Sequence, residues 1–250
     1  MNKGLNGTPF LDSQPNFRSL EGIQSHDGRR FRKNMVYRSG GLGRLSPADI
    51  ARLEGIRLCT IVDFRSDRER ESFPTMKIPT VRQPLRVVIN DVAREEAQVL
   101  LERNDPDGME KVLVKDYRRM VKNDADRFAE FFRILQEECC FPLVYHCAAG
   151  KDRTGLATVL LLSALGVGMD DILVDYYESN ERLKTFADLY VKKVNEQGFN
   201  GNIIRPMMEV RPEYIQAALD EIDLSFGGMQ AYLLGVLGAQ TELLKDKFLE

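Results

Sequence analysis

The chain has 250 residues, enough for one large domain or two small ones. Hydrophobic residues make up 43% of it and its formal net charge is -3. This is the profile of a globular protein; it speaks against general nucleic-acid binding and leaves room only for a local anion site. The opening MNKGLNGTPF lacks the apolar core of a signal peptide, and no apolar run reaches the ~18 residues that span a bilayer, so a cytoplasmic setting without a transmembrane segment is expected.

Residues 1–34 are rich in Gly, Asn, Arg and Ser and lack periodicity, which predicts an irregular N-terminal arm on a single domain covering residues 1–250. Met35 to Arg38 reads as a short extended piece. Ser46-Pro47 pairs an N-cap with a first-turn proline and predicts a helix from Pro47 to Glu54, stopped at Gly55. Arg57 to Phe64 is β-branched and nearly continuous, as a buried strand requires, and Val81 to Leu85 is a candidate for another. From Asp91 to Glu138 the pattern is helical, interrupted at Asn104-Asp105-Pro106-Asp107-Gly108; Phe128, Phe131, Phe132 and Leu135 carry the i, i+3, i+4, i+7 signature. Leu143 to His146 is the next strand, Arg153 to Leu165 the next helix. Met169 to Asn195, Pro212 to Leu224 and Met229 to Phe248 are helical in pattern, and the final Leu249-Glu250 reads as a cloning remnant. Few strands among many helices predict an α/β domain with a small sheet.

Between that strand and helix lies Cys147-Ala148-Ala149-Gly150-Lys151-Asp152-Arg153. The small residues let the backbone curl, so that successive N–H groups form an anion cradle at the helix start. Arg153 offers a planar fork that matches two phosphate oxygens, and Lys151 adds a second positive charge. Helix N-termini and neighbouring cations favour the thiolate form of a cysteine, which makes Cys147 a candidate nucleophile beneath a bound phosphate. A nucleotide-binding glycine loop is excluded, because Tyr145 and Asp152 stand where it needs Gly and Ser/Thr. The remaining cysteines, Cys59, Cys139 and Cys140, form no CxxC, and His26 and His146 are the only histidines, so neither a disulfide framework nor a metal is suggested and no cofactor is expected. These three cysteines read as buried small hydrophobes.

The stretch HCAAGKDRTG resembles the phosphate-binding loop of bacterial and fungal cysteine-dependent tyrosine and dual-specificity phosphatases, whose loop reads HCxxGKDRTG. Asn16-Phe17-Arg18-Ser19-Leu20 is similar to that family's NFRDLGG, with Ser19 and Glu21-Gly22 departing from it. Tyr37-Arg38-Ser39 resembles its YRS, Val62-Asp63-Phe64-Arg65-Ser66 its VIDLRS with Glu69 following, Asp175 to Asn180 its DYLLSN, and Arg211 to Ala218 the start of its C-terminal helix. The resemblance implies a phosphatase fold, a small and mostly parallel sheet wrapped by helices. It implies hydrolysis of phosphotyrosine in proteins, with phosphoserine, phosphothreonine and phosphoinositides as further substrates, through a phosphocysteine intermediate. It places Cys147 as nucleophile and Arg153 as phosphate-binding arginine, with Ala148, Ala149, Gly150, Lys151 and Asp152 completing the loop.

Phenolate is a poor leaving group, so a proton donor is expected. Asp152 is the first candidate by the resemblance and Asp63 the second; charge at a helix start and pairing with an arginine are the respective structural alternatives. Thr154 can donate its hydroxyl to the thiolate or bond to backbone. His146 is expected to fix the loop. Arg18 either reaches the phosphate region or lies on the solvated surface. The helical segment 181–210 either covers the site as a lid or packs on the core. Lys151 is expected at the rim, where further phosphates of a phosphoinositide would meet it. Two non-phosphatase readings stand beside this one: a catalytically silent phosphoprotein-binding module, and a sulfur-transfer enzyme that also uses a loop cysteine.

Overall fold

The computed structural model describes residues 10–82, 84–137 and 141–250. A five-stranded sheet lies at its centre in the order β1-β2-β5-β3-β4. The edge strand β1 (Arg18–Ser19) is antiparallel to β2 (Val36–Ser39). The central β5 (Leu143–His146) runs parallel to β2 on one side and to β3 (Thr60–Asp63) on the other, and β4 (Leu85–Arg86) continues in parallel from β3. The sheet is thus small and mostly parallel, as expected. Its register sets Ser39, His146 and Asp63 side by side, so three strands end at one level. Sites in open parallel sheets form at such strand ends; Cys147 is the next residue.

Helices wrap both faces. The helix α1 (Pro47–Gly55), which packs Leu53 with Tyr37, Ile61 and Val144, is started by a capping box between Ser46 and Asp49, and α2 (Asp67–Ser72) by a second one between Ser66 and Glu69. Then come α3 (Val92–Glu102), α4 (Pro106–Asn123) and α5 (Ala125–Gln136). The predicted break at 104–108 is narrower than its composition suggests: Asp105 caps α4, Pro106 opens it, and Asp107 and Gly108 already belong to it. The helix after the loop, α6 (Arg153–Ala164), is apolar almost all round and buried. It is followed by the long α7 (Met169–Glu196), a 3-10 turn at Gly201–Ile203, the short α8 (Arg205–Met208) and α9 (Pro212–Phe226). The pattern from Met229 to Phe248 is not one helix: α10 (Met229–Ala231) runs into a π-turn at Tyr232–Val236, and after Gly238 the chain restarts as α11 (Thr241–Phe248).

Both described ends of the chain pack against the domain. The described part of the arm supplies β1 and buries Leu11, Phe17, Leu20, Ile23 and Phe31 in the core; irregular backbone there is tied down by apolar side chains too few to show a period. Leu249 is buried as well, and Arg30 and Glu250 exchange backbone hydrogen bonds of 2.7 and 2.9 Å. The predicted strand at Val81 to Leu85 is displaced to Leu85–Arg86. Cys139 and Cys140 lie outside the described residues, and Cys59 is only half-buried. Segment 181–210 packs through Val191, Val194, Ile203 and Ile204 onto Ala97, Leu101 and Met109, a cluster separate from the main core. No helix among the described residues is long and apolar enough to cross a membrane.

Candidate active site

Each backbone carbonyl from Cys147 to Gly150 is turned away from the loop's interior by a specific donor. His146 Nδ1 meets the Cys147 carbonyl at 3.0 Å. The Gly41 N–H donates to Ala148 at 2.8 Å, and Asn16 Nδ2 donates to Ala149 and Gly150 at 2.9 and 3.1 Å. Arg38 adds a bond of 2.9 Å to the Gly150 carbonyl. With the carbonyls committed, the N–H groups of Ala148, Ala149, Lys151 and Asp152 donate to none of the described residues. The Gly150 N–H points at Cys147 Sγ, 3.3 Å away. Cys147 lies beneath this loop, 3% exposed.

Gly150 makes this turn possible. Its φ is +75°, and an added Cβ would sit 2.3 Å from the Ser39 carbonyl oxygen. Only glycine has both the left-handed backbone and the missing side chain.

Beneath the cradle three distant segments meet. Asp175, on α7, accepts from Arg18 Nε at 2.8 Å and from Arg38 Nη1. Arg18 also donates to Asn16 Oδ1 and to the Ser179 hydroxyl. Arg18 is therefore neither a phosphate ligand nor a surface residue. It joins Arg38 and Asp175 in a buried ionic cluster that aims Asn16 and Arg38 at the loop carbonyls. Burial alone would raise the Asp175 carboxyl, but the two guanidiniums outweigh it and hold it below the usual carboxylate range.

Arg153 opens α6 and is buried. Glu69 meets it end-on, Nη1 to Oε2 and Nη2 to Oε1 at 2.8 Å each, and the Ile89 carbonyl and Asp91 Oδ2 complete its contacts at 3.1 and 3.3 Å. Burial would raise the Glu69 carboxyl; hydrogen bonds and charge from Arg153 outweigh it and bring it down to about 2. Glu69 and Asp91 were not singled out as site residues from sequence. The signal available for Glu69 was the Ser66-x-x-Glu69 capping box, which places a carboxylate at a fixed point after β3.

Asp63 is 1% exposed and gives both oxygens to Arg65, at 2.9 Å for Oδ1–Nε and 2.7 Å for Oδ2–Nη2. Burial would raise it, but His146 and Arg65 hold it below its ordinary range. The expected alternative, arginine pairing, is what the geometry displays. Burial pushes His146 down, and its Nδ1 lies within hydrogen-bond distance of the Cys147 carbonyl. Asp152 heads the loop helix with no cap bond of its own. Its side chain is 26% exposed, pairs with Lys151 Nζ at 2.7 Å and accepts from the Tyr117 hydroxyl at 3.0 Å. Tyr176 in turn donates to Tyr117 at 2.9 Å.

Lys151 departs from its expected position. It is 3% exposed, and its ammonium is turned onto Asp152 and toward the Glu209 carbonyl at 3.3 Å, so it presents no free charge at the rim. Thr154 is buried and its hydroxyl has no partner among the described residues. Among those residues there is also no group of His, Cys, Asp and Glu that could hold a metal.

The model of the tyrosine phosphatase family matches residues 10–250. A Cupriavidus necator protein that bears the name of a tyrosine-protein phosphatase is 34% identical over 242 residues, 96% of this chain and 87% of the relative. The triple specificity protein phosphatase PtpB of Mycobacterium tuberculosis is 25% identical over 236 residues, 81% of this chain and 85% of its own. A crystal structure of P. aeruginosa TpbA in complex with phosphotyrosine aligns with 92% of this chain and 94% of its own at 15% identity, with a TM-score of 0.33, too low to carry weight. From the family match and the relatives, the chain belongs to the tyrosine phosphatase family.

Proposed function

We propose that this chain hydrolyses phosphate monoesters, phosphotyrosine in proteins first among them, through a phosphocysteine formed on Cys147. The observation that carries the reading is the commitment of the loop carbonyls to outside donors, while the Gly150 N–H is aimed at Cys147 Sγ and the neighbouring loop N–H groups have no acceptor among the described residues. The cradle holds the three non-bridging phosphate oxygens. Cys147 Sγ attacks in line, the S–P bond forms as the P–O bond to the ester breaks, and the leaving oxygen takes a proton. Water then attacks phosphorus, the S–P bond breaks, and inorganic phosphate leaves. The uncommitted Thr154 hydroxyl is the donor available to the departing thiolate. Both carboxylates are paired, Asp152 with Lys151 and Asp63 with Arg65; Asp152 is the stronger candidate for the acid because its side chain reaches solvent beside the loop while Asp63 is buried.

A thiol lying 3% exposed at the cradle floor favours a phosphate carried on a long stem, as in phosphotyrosine. The phosphoinositide expectation came from the resemblance, with Lys151 at the rim as its added residue argument; the pairing of Lys151 with Asp152 removes that argument and leaves the resemblance alone. The test is turnover of a phosphotyrosine peptide with excess EDTA, beside phosphoserine and phosphothreonine peptides, phosphoinositide vesicles and thiosulfate. The proposal expects phosphate release, fastest from the phosphotyrosine peptide. Binding without turnover would return the silent-module reading, and activity on thiosulfate alone would mean sulfur transfer.

A further inference from the structure

A planar guanidinium offers phosphate two kinds of parallel N–H pair: the end-on pair of Nη1 and Nη2, and the side-on pair of Nε and Nη2. In Arg153 the end-on pair is taken by Glu69, with both bonds at 2.8 Å. The Ile89 carbonyl takes a further Nη1 contact at 3.1 Å. Only the side-on pair remains for a ligand. Its Nε bonds to none of the described residues, but Nη2 faces Asp91 Oδ2 at 3.3 Å.

From this count of donors we propose that Asp91 occupies the phosphate's place on Arg153 and is displaced when the phosphoryl group binds. The inference rests on the reading of Arg153 as the phosphate clamp. Charge supports it. Glu69 and Asp91 already give Arg153 two negative partners, and a phosphate dianion would add more. One carboxylate has to yield, and the two are not held alike. Glu69 is 8% exposed, is anchored by its capping box, and accepts from the Ser66 N–H at 2.8 Å besides its two arginine bonds. Asp91 is 24% exposed and touches Arg153 through one oxygen at the longer distance. Its other oxygen caps α3, accepting from the Arg94 N–H at 3.2 Å, so a small rotation of the carboxylate releases Nη2 without uncapping the helix. Substrate affinity then contains the cost of breaking one partly screened ion pair. Asp91 acts as a competitor for the clamp that keeps stray anions of low affinity out of the cradle.

The experiment is titration of inorganic phosphate into the full-length wild-type protein and its Asp91→Asn and Asp91→Ser variants, by calorimetry at fixed ionic strength. Asn and Ser both cap helices and carry no charge, so α3 keeps its start while the competition disappears. Phosphate should bind both variants about fivefold more tightly than wild type, the size of one screened ion pair, and kcat/KM for aryl phosphates should rise in step. Equal or weaker phosphate binding in both variants overturns the proposal. So does a loss of kcat confined to poor leaving groups with unchanged phosphate affinity, which would make Asp91 a proton donor instead. If none of the three proteins binds phosphate, the clamp reading falls, and this inference with it.

Discussion

Arg153 and Glu69 form a buried end-on pair with two parallel hydrogen bonds of 2.8 Å, and this pair fixes the direction in which the remaining donors of the arginine point. Sequence separates the partners by 84 positions. The fold joins them because β3 and β5 are neighbours in the sheet and each ends in a turn that starts a helix.

Glu69→Gln keeps the shape and removes the charge. With Arg153 free to swing, kcat/KM should fall at least about tenfold, and stability should drop by about 1–3 kcal/mol at neutral pH. The pH dependence follows from the lowered carboxyl. Its folded value of about 2 lies below the ordinary 4.5, so its stabilisation is fully present above about 4.5 and is lost as pH falls toward 2. Urea titrations of wild type and variant at several pH values should show a gap that is constant above pH 5 and closes below it. A gap that widens in acid would contradict the pairing.

Gly150→Ala should abolish activity. The added methyl meets the Ser39 carbonyl at 2.3 Å and the backbone sits at φ +75°, so the loop must deform. The check is activity alongside a melting curve: activity near wild type would mean that the turn is softer than its contacts imply.

Removing Asp175 leaves Arg18 and Arg38 buried without a counter-charge. Asp175→Ala should cost about 3–5 kcal/mol, and Asp175→Asn less, since an amide still accepts a hydrogen bond. Chemical denaturation measures both, and a loss under ~1 kcal/mol in the alanine variant would show that the cluster is dispensable.

The proton donor is assigned by leaving group. Asp152→Asn should slow esters of poor leaving groups much more than activated aryl phosphates, by about 10²-fold against a few-fold. Asp63→Asn should instead act on stability and depress all esters alike, because its oxygens hold Arg65 and face His146. The reverse ranking would transfer the role to Asp63.

The loop and its flanks were legible because strand, small residues and helix are adjacent in sequence, and local chemistry specifies each. Segments that reach the site from afar were legible only as motifs. Nothing local in Asn16, Arg38 or Asp175 says that their side chains converge under the loop; their burial as one ionic cluster depends on the order of strands in the sheet. Lys151 was misplaced for a related reason. Its neighbour Asp152 and the Glu209 carbonyl, 58 residues on, take up the ammonium that sequence alone leaves pointing outward. The arm has the irregular backbone its composition predicts; what sequence did not show is that a few anchoring side chains, such as Phe17 on Tyr37 at 5.2 Å and Phe31 on Phe248 at 5.6 Å, order it without any periodic signature.

The central claim is that Cys147 is the nucleophile over which the cradle holds phosphate. Its most direct test is Cys147→Ser, incubated with a phosphotyrosine peptide and measured for both release and binding. A serine hydroxyl stays protonated at neutral pH, while Arg153 and the loop N–H groups remain. The account predicts that phosphate release disappears while the peptide still binds in a phosphate-dependent way. Release by the serine variant near the wild-type rate would contradict it.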